Sequence, residues 1–356
     1  MLTRLALSFG MVALLSGCAG STNPFIENDP DAEDTVRDDL PPGTENPSAR
    51  SVITRSEAET ESGGGTALGY EYRGDTDEFY VDNLPFDADN VYARGTSISS
   101  IGPTSAFQVY ESDSGTIDPV TTTPVSTFSY RAIYGQSRSG QVQFAIVRSG
   151  NYVDYGFGGY VYQRNGETTD GTATPFVLPD CSGACQADYR GDYAGIRVFE
   201  GSGGLEYTQG EAQLKVDFED FNEQRTGAVL FVRDRRLFDV NGNDITASYL
   251  AALEDLDPST RIINDEVEDG YMPTIVSVVD PTNVDTNGEI AGEISSYVGD
   301  SGGTVTELDS GNYYAILSGE GAESEVVGIV VVESSDPRFG GAVSVQETGG
   351  FILYRQ

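Results

Sequence analysis

The sequence predicts a mostly β protein in which two β domains follow a disordered acidic segment. Short β-branched and aromatic runs, separated by Gly, Asn, Asp and Ser, fill the chain from about residue 66 to its end. One of them, residues 212–218, alternates apolar with polar side chains, which is typical of a strand with one buried face. Only residues 244–256 have a helical pattern, with Thr246 as the predicted cap and Leu250 and Leu253 near one face.

The amino terminus predicts a lipoprotein signal peptide over residues 1–17. Arg4 precedes an apolar run over residues 5–15, which is shorter than the ~20 residues of a membrane-spanning helix. The sequence LSGC, which ends at Cys18, resembles the bacterial lipobox, whose cysteine carries acyl chains such as palmitate. The resemblance implies a mature chain that starts at Cys18 and carries this covalent lipid. No cofactor other than the lipid is expected, because the chain has no histidine and no phosphate-binding glycine loop. Because Ala19 and not aspartate follows, the analogy favours the outer membrane; an ordinary signal peptide is the alternative.

The charge of the chain bears on its partners. It has 57 acidic and 20 basic residues, a formal net charge of −37. Such a charge repels phosphate backbones, which excludes nucleic acid, and favours a protein ligand with a basic surface or divalent cations. Solubility alone is the alternative explanation. Residues 18–65 are rich in acidic residues, Pro, Ser and Gly and have almost no apolar pattern, so we predict a lipidated disordered linker there.

A turn-rich stretch that contains two cysteines divides the folded part. It separates an amino-terminal β domain, residues 66–178, from a carboxy-terminal β domain, residues 186–356. With Cys18 acylated, Cys181 and Cys185 remain, and in an oxidising exported compartment such a close pair is expected to form a local disulfide. A redox or metal role is the alternative, although two cysteines without any histidine lack the usual metal ligands.

The carboxy-terminal domain carries an order of motifs that resembles a known family. GNY at residues 311–313 is followed by Gly319, by GAE at residues 321–323 and by EVVG at residues 325–328. This order is similar to the barrel domain of the transferrin-binding lipoproteins of Gram-negative bacteria, apart from an acidic insertion over residues 239–285. Over the last half of the chain, the resemblance implies a small antiparallel eight-stranded β-barrel, which the amino-terminal domain precedes as a handle. Members bind host proteins through exposed loops, so a protein ligand is implied but no binding residue is assigned.

Motifs that suggest catalysis or metal binding have simpler explanations. The chain has no histidine, so GDSGG at residues 299–303 cannot belong to a chymotrypsin-like triad, and we predict a turn. Asp239, Asn241 and Asn243 place oxygen atoms at alternate positions, as a calcium loop does. The Gly and Glu that an EF-hand requires are absent from the expected positions, so an Asn-Gly turn is favoured while calcium binding stays open.

These observations predict a non-enzymatic outer-membrane lipoprotein that acts as a binding module and is held to the membrane by its lipid. A structural envelope lipoprotein that faces the periplasm is one alternative. A hydrolase that uses two facing carboxylates is the other, because a chain this acidic brings some carboxylates together by chance. The sequence fits surface-exposed and periplasm-facing orientations equally, and it assigns neither the ligand nor the oligomeric state.

Overall fold

The computed structural model describes most of the chain after residue 38. The described residues are 39–59, 65–67, 69–84, 91–112, 120, 122, 129–150, 155–166, 176–179, 185–218, 227–256, 262–277 and 283–356. The predicted signal peptide, the start of the predicted linker, Cys18 and Cys181 lie outside them. The described residues form two antiparallel sheets, each of nine strands.

The first sheet is a half-barrel. Its strands are β1 (Ile53–Ser56), β2 (Tyr70–Arg73), β3 (Glu78–Val81), β4 (Val91–Arg94), β5 (Ser100–Ile101), β6 (Phe107–Ser112), β7 (Tyr130–Gln136), β8 (Val142–Ser149) and β9 (Gly158–Arg164). They pair in the order β1-β9-β8-β7-β6-β4-β3-β2, with β5 beside β6.

Strand β1 lies within the segment that the sequence predicts as a linker. Ile53 and Arg55 are buried in it, and its four residues pair with β9. This strand has four residues and lies among acidic and polar neighbours, so it has too few apolar side chains to show an alternating pattern. The ordered sheet therefore begins before residue 66, where the sequence places the start of the first domain.

The second sheet closes into a barrel. Its strands are β10 (Gln186–Glu200), β11 (Leu205–Asp217), β12 (Ala228–Asp239), β13 (Ile275–Ser277), β14 (Asn283–Val284), β15 (Glu289–Gly299), β16 (Val305–Ser318), β17 (Glu325–Ser335) and β18 (Ser344–Arg355). Strands β10 to β13 and β15 to β18 form the ring, because β13 pairs with β15 and β18 pairs with β10, while β14 pairs with β15 outside it. The mostly β fold and the eight-stranded antiparallel barrel are confirmed.

Side chains along several barrel strands point alternately into the barrel and towards the half-barrel. In β17, Val326 and Val330 belong to the barrel core, whereas Val327 and Ile329 belong to a second cluster between the two sheets. This second cluster also contains side chains of β7, β8 and β9, so the half-barrel packs on the outer wall of the barrel. Gly350 in β18 permits close packing there, because a Cβ atom at that position would collide with the ring of Phe144. Burial of both faces explains why β17 has an almost continuous apolar run.

Two helices cover one end of the barrel. Helix α1 (Thr246–Asp255) confirms the predicted helix, and both Leu250 and Leu253 are buried. Thr246 was predicted as the cap, but it is the first helical residue and Ile245 occupies the cap position. The Thr246 Oγ1 accepts a hydrogen bond from the Leu237 N–H at 2.9 Å instead of capping the helix. The described residues also contain helix α2 (Asp265–Glu268) and two short 3-10 turns, Gly321–Glu323 and Pro337–Phe339. Among the described residues, neither α-helix is long and apolar enough to cross a membrane.

Candidate functional site

Beneath helix α1, the barrel interior contains charged side chains in place of apolar ones. Strands β10, β11, β12, β16 and β18 contribute five of them, and the turn after β17 contributes two. We call this group the buried charge cluster; its three guanidinium groups and four carboxylates belong to Arg197, Arg235, Arg338, Glu206, Asp309, Asp336 and Glu347. Five of the seven are buried, and Glu206 and Arg338 are partly buried.

Arg235 occupies the centre of the cluster and is fully buried. Its Nη1 lies 3.2 Å from Asp309 Oδ2, and its Nη2 lies 2.8 Å from Glu347 Oε2. Nη1 also donates to the backbone carbonyl of Pro273 at 3.0 Å. Hydroxyl groups donate to the same two carboxylates at 2.6 to 2.9 Å, from Tyr193, Thr208 and Ser296. The charges at the centre of the cluster are therefore both paired and hydrogen-bonded.

A second set of ion pairs extends from this centre to the barrel rim. Both terminal nitrogens of Arg338 donate to Glu206, at 2.7 and 2.8 Å, and its Nη2 and Nε donate to Asp336 at 2.6 and 3.0 Å. Arg197 contacts both of these carboxylates, at 3.1 and 3.4 Å. Two-point contacts of this kind are the stronger form of arginine–carboxylate pairing.

Helix α1 covers the cluster with Tyr249, whose side chain is fully buried. The guanidinium carbons of Arg197 and Arg338 lie 5.2 and 5.7 Å from the centre of its ring, within the range of cation–π attraction. Around Tyr249, the helix packs on Leu237, Ile262 and Met272. The insertion that contains α1 thus closes the barrel over its charged end.

The cluster keeps two of its carboxylates, Asp309 and Asp336, ionised. Burial alone raises the pKa of Asp309, but the attraction of Arg235 and the hydrogen bond from Ser296 outweigh it, so the pKa lies below its usual value. For Asp336, burial is likewise outweighed, by the hydrogen bond and charge of Arg338, and its pKa is lowered. Carboxylates with lowered pKa values are poor proton donors at neutral pH. The arrangement therefore favours a structural role for these acids over general acid catalysis.

Acidification is expected to destabilise the barrel through these two carboxylates. Because the folded-state pKa is lowered, their contribution is complete above the unfolded pKa of about 4 and is lost as the pH falls through the folded value. We expect the free energy of unfolding in urea to fall between pH 5 and pH 3. In Asp309→Asn the slope should be shallower by up to about 1.4 kcal/mol per pH unit, the limit for one proton. Equal slopes in the two proteins would contradict this assignment.

The structure locates one of the three cysteines. Cys185 directly precedes β10, packs against the barrel core and is disulfide-bonded. Because Cys18 and Cys181 lie outside the described residues, the lipid on Cys18 and the pairing of Cys181 with Cys185 remain predictions.

The calcium candidates lie together in the turn that follows β12. Asp239 Oδ1 accepts hydrogen bonds from the N–H groups of Asn241 and Asn243, both at 2.9 Å, and its Oδ2 accepts from Asn243 Nδ2 at 2.8 Å. The hydrogen bonds from Asn243 are the main reason why the pKa of Asp239 is lowered. Bonds from an Asp side chain to N–H groups that follow it form an Asx turn, and the Gly242 N–H also donates to the Asp239 carbonyl at 3.0 Å, so a turn forms around Asn241 and Gly242. In the described part of the chain, no group of three or more acidic or cysteine side chains is arranged to hold a metal ion.

The protease-like motif also forms a turn. The backbone N–H of Asp300 donates to the Thr304 carbonyl at 2.9 Å, and Asp300 Oδ1 accepts from the Thr304 N–H at 2.9 Å. These bonds close the hairpin between β15 and β16, in agreement with the turn predicted from the sequence. Ser301 is exposed on this hairpin.

The buried charge cluster was not predicted from the sequence, although the sequence contains a signal for it. Arg197 stands between Ile196 and Val198, whose side chains belong to the cluster between the sheets, so period 2 directs Arg197 into the barrel. A charged residue at an inward position of an apolar strand indicates a buried partner. Its ion-pair partners are Glu206 on the next strand and Asp336 and Glu347 from the end of the chain, and only the closed barrel brings the last two beside it.

Comparisons with known proteins identify no family for this chain. No protein-family model matches it, and no curated protein does. Among solved structures, it is similar to a double mutant of transferrin binding protein B from Haemophilus parasuis Hp5, with 13% identity and a TM-score of 0.29 over 70% of this chain and 37% of that chain. A single mutant of that protein gives 12% identity and a TM-score of 0.32, covering 86% of this chain and 46% of that one. Intact Ap-TbpB (N and C lobes) gives 10% identity and a TM-score of 0.28, covering 87% of this chain and 61% of that one.

The chain spans less than two thirds of the length of each of these three proteins. The fold assignment therefore rests on the strand pairings of the chain itself.

Proposed function

We propose that this chain is an outer-membrane lipoprotein whose folded part is a non-enzymatic binding module for a protein partner. The closed and filled barrel carries the proposal. An eight-stranded barrel is just wide enough for side chains to fill its interior. Here apolar side chains fill the middle, and the buried charge cluster under α1 fills one end. The partner therefore binds to the outer surface and the loops.

The environment of the buried carboxylates supports a non-enzymatic role. Each of the six in the described residues accepts hydrogen bonds: Asp192, Glu289, Asp309, Glu325, Asp336 and Glu347. A carboxylate hydrolase needs two facing acids, one of them with a raised pKa. Burial raises the pKa of Glu325, but this group accepts from the hydroxyls of Ser137 and Ser139, between the two domains. These contacts argue against the hydrolase alternative.

The remaining parts of the proposal rest on the sequence. The lipobox-like LSGC supports a lipid anchor on Cys18, and Ala19 supports the outer membrane. The net charge of −37 supports a partner with a basic surface. The resemblance of the carboxy-terminal domain to the transferrin-binding lipoproteins supports a protein as that partner. A structural lipoprotein that faces the periplasm is the competing function.

Protease shaving of intact cells tests this function. We expect an epitope placed after Gln356 to be lost when protease is added to intact cells that express the full chain. A palmitate analogue should label the wild type and not Cys18→Ser, which serves as the control for anchoring. An epitope that is protected in intact cells and lost only after lysis would overturn the surface module and favour the periplasmic function.

A further inference from the structure

Three exposed apolar side chains meet on one face of the β15–β16 hairpin. Ile263, Tyr297 and Val305 are 52%, 38% and 69% exposed. In the hairpin, Tyr297 pairs with Glu307 and Gly299 pairs with Val305, so these four positions share one face. The N–H of Ile263 donates to the Gly299 carbonyl at 2.9 Å, and a Cβ atom on Gly299 would lie 3.8 Å from Ile263 Cγ1. We call Ile263, Tyr297 and Val305 the hairpin patch.

The hairpin patch is held in place from behind and from the side. On the other face of the hairpin, Val298 and Leu308 pack against the apolar cluster of the α1 cap. The side chain of Asn264 bonds to the hairpin backbone, accepting from the Gly299 N–H at 2.6 Å and donating to the Tyr297 carbonyl at 3.0 Å. A preformed surface loses little conformational entropy when a partner binds. These contacts make the patch suitable for recognition.

Two exposed acidic residues lie beside the hairpin patch. No lysine or arginine occurs from residue 262 to residue 337, and the basic residue nearest in sequence is Arg261. Glu307 is exposed on the face of the patch, and Asp265 is exposed next to the Asn264 clamp. Exposed apolar side chains that are flanked by charged groups are typical of a protein docking surface. The negative sign of these neighbours, in a chain with a net charge of −37, favours a partner with a basic surface.

We infer that the hairpin patch docks a basic amphipathic segment of a protein partner. Apolar side chains of the segment contact Tyr297, Ile263 and Val305, and its lysine or arginine side chains face Glu307 and Asp265. A second copy of this chain would bring acidic groups against acidic groups, and an anionic membrane surface would be repelled in the same way. This inference rests on the proposed binding function and assigns that function a surface and a partner chemistry.

Binding of a short amphipathic lysine–leucine peptide to the full lipoprotein in neutral detergent tests the inference. We expect saturable binding that weakens with salt, and no binding of a glutamate–leucine peptide of equal length. Val305→Ser and Glu307→Gln should each weaken the binding roughly tenfold, because each removes one element of the site. Both side chains are exposed, so the variants should keep the wild-type unfolding midpoint.

Two matched variants on the half-barrel domain serve as controls. Val52 is 48% exposed and Glu71 is exposed, so Val52→Ser and Glu71→Gln change the same side-chain types away from the patch. They should bind the peptide as the wild type does. Absence of binding, or equal losses in patch and control variants, would overturn the inference. Such a result would leave the proposed function to be decided by the shaving experiment, which does not depend on the patch.

Discussion

Replacement of Arg235 by methionine is expected to destabilise the protein by about 3–5 kcal/mol, the range for removal of one partner from a buried ion pair. The substitution leaves Asp309 and Glu347 buried without the guanidinium group that bridges them at 3.2 and 2.8 Å. Arg197 approaches Glu347 only to 3.9 Å, which is too far to replace Arg235. Urea unfolding followed by circular dichroism at neutral pH measures the loss.

The neighbouring residue offers a matched control. Arg236 pairs with Asp244 at 3.2 Å, but both side chains are about 40% exposed. Because exposed pairs contribute little, Arg236→Met should lower the free energy of unfolding by less than about 1 kcal/mol. Equal small losses for the two variants would show that the buried charge cluster contributes no more than a surface pair.

A combined variant separates charge from packing. Arg235→Met together with Asp309→Asn and Glu347→Gln removes all three central charges and keeps the side-chain volumes similar. If the loss in Arg235→Met comes from uncompensated buried charge, the triple variant should be more stable than Arg235→Met alone. A triple variant that is less stable would assign the loss to the removed hydrogen bonds.

Local sequence pattern predicted many of the regular elements of this fold. The alternation over residues 212–218 predicted the inner face of β11, where Ala212, Leu214 and Val216 are buried. The predicted β-branched and aromatic runs include β8, β9, β12, β17 and β18, because each of these strands has one or two faces in a core. The single helical pattern became α1 because Leu250 and Leu253 pack on the barrel end.

Some features could not be predicted from the sequence, because they form only when segments that are far apart in the chain come together in the fold. The buried charge cluster combines residues from β10 to β18, and the hairpin patch needs Ile263 beside a hairpin more than thirty residues further along the chain. Strand β1 is recognisable only once β9 is beside it. The number of barrel strands was predicted from the family resemblance. Periodicity identifies single strands, but it does not show which strands pair with each other.

The second large effect concerns the junction between the two sheets. Arg55 of β1 donates from Nε and Nη2 to the two oxygens of Glu289 in β15, at 2.7 and 2.9 Å, and both side chains are buried. Glu289→Gln leaves the guanidinium group buried without its ion-pair partner. We expect the free energy of unfolding to fall by about 3–5 kcal/mol.

The loss should appear mainly as uncoupling of the half-barrel from the barrel. The apolar cluster between the sheets joins them in the wild type, which should unfold in one transition. In Glu289→Gln, the half-barrel should unfold at a lower urea concentration, and limited proteolysis should cleave it first. Glu71→Gln is the matched control, since the Arg73–Glu71 pair is exposed and contributes little. A single transition with the wild-type midpoint in Glu289→Gln would mean that the apolar cluster alone couples the two domains.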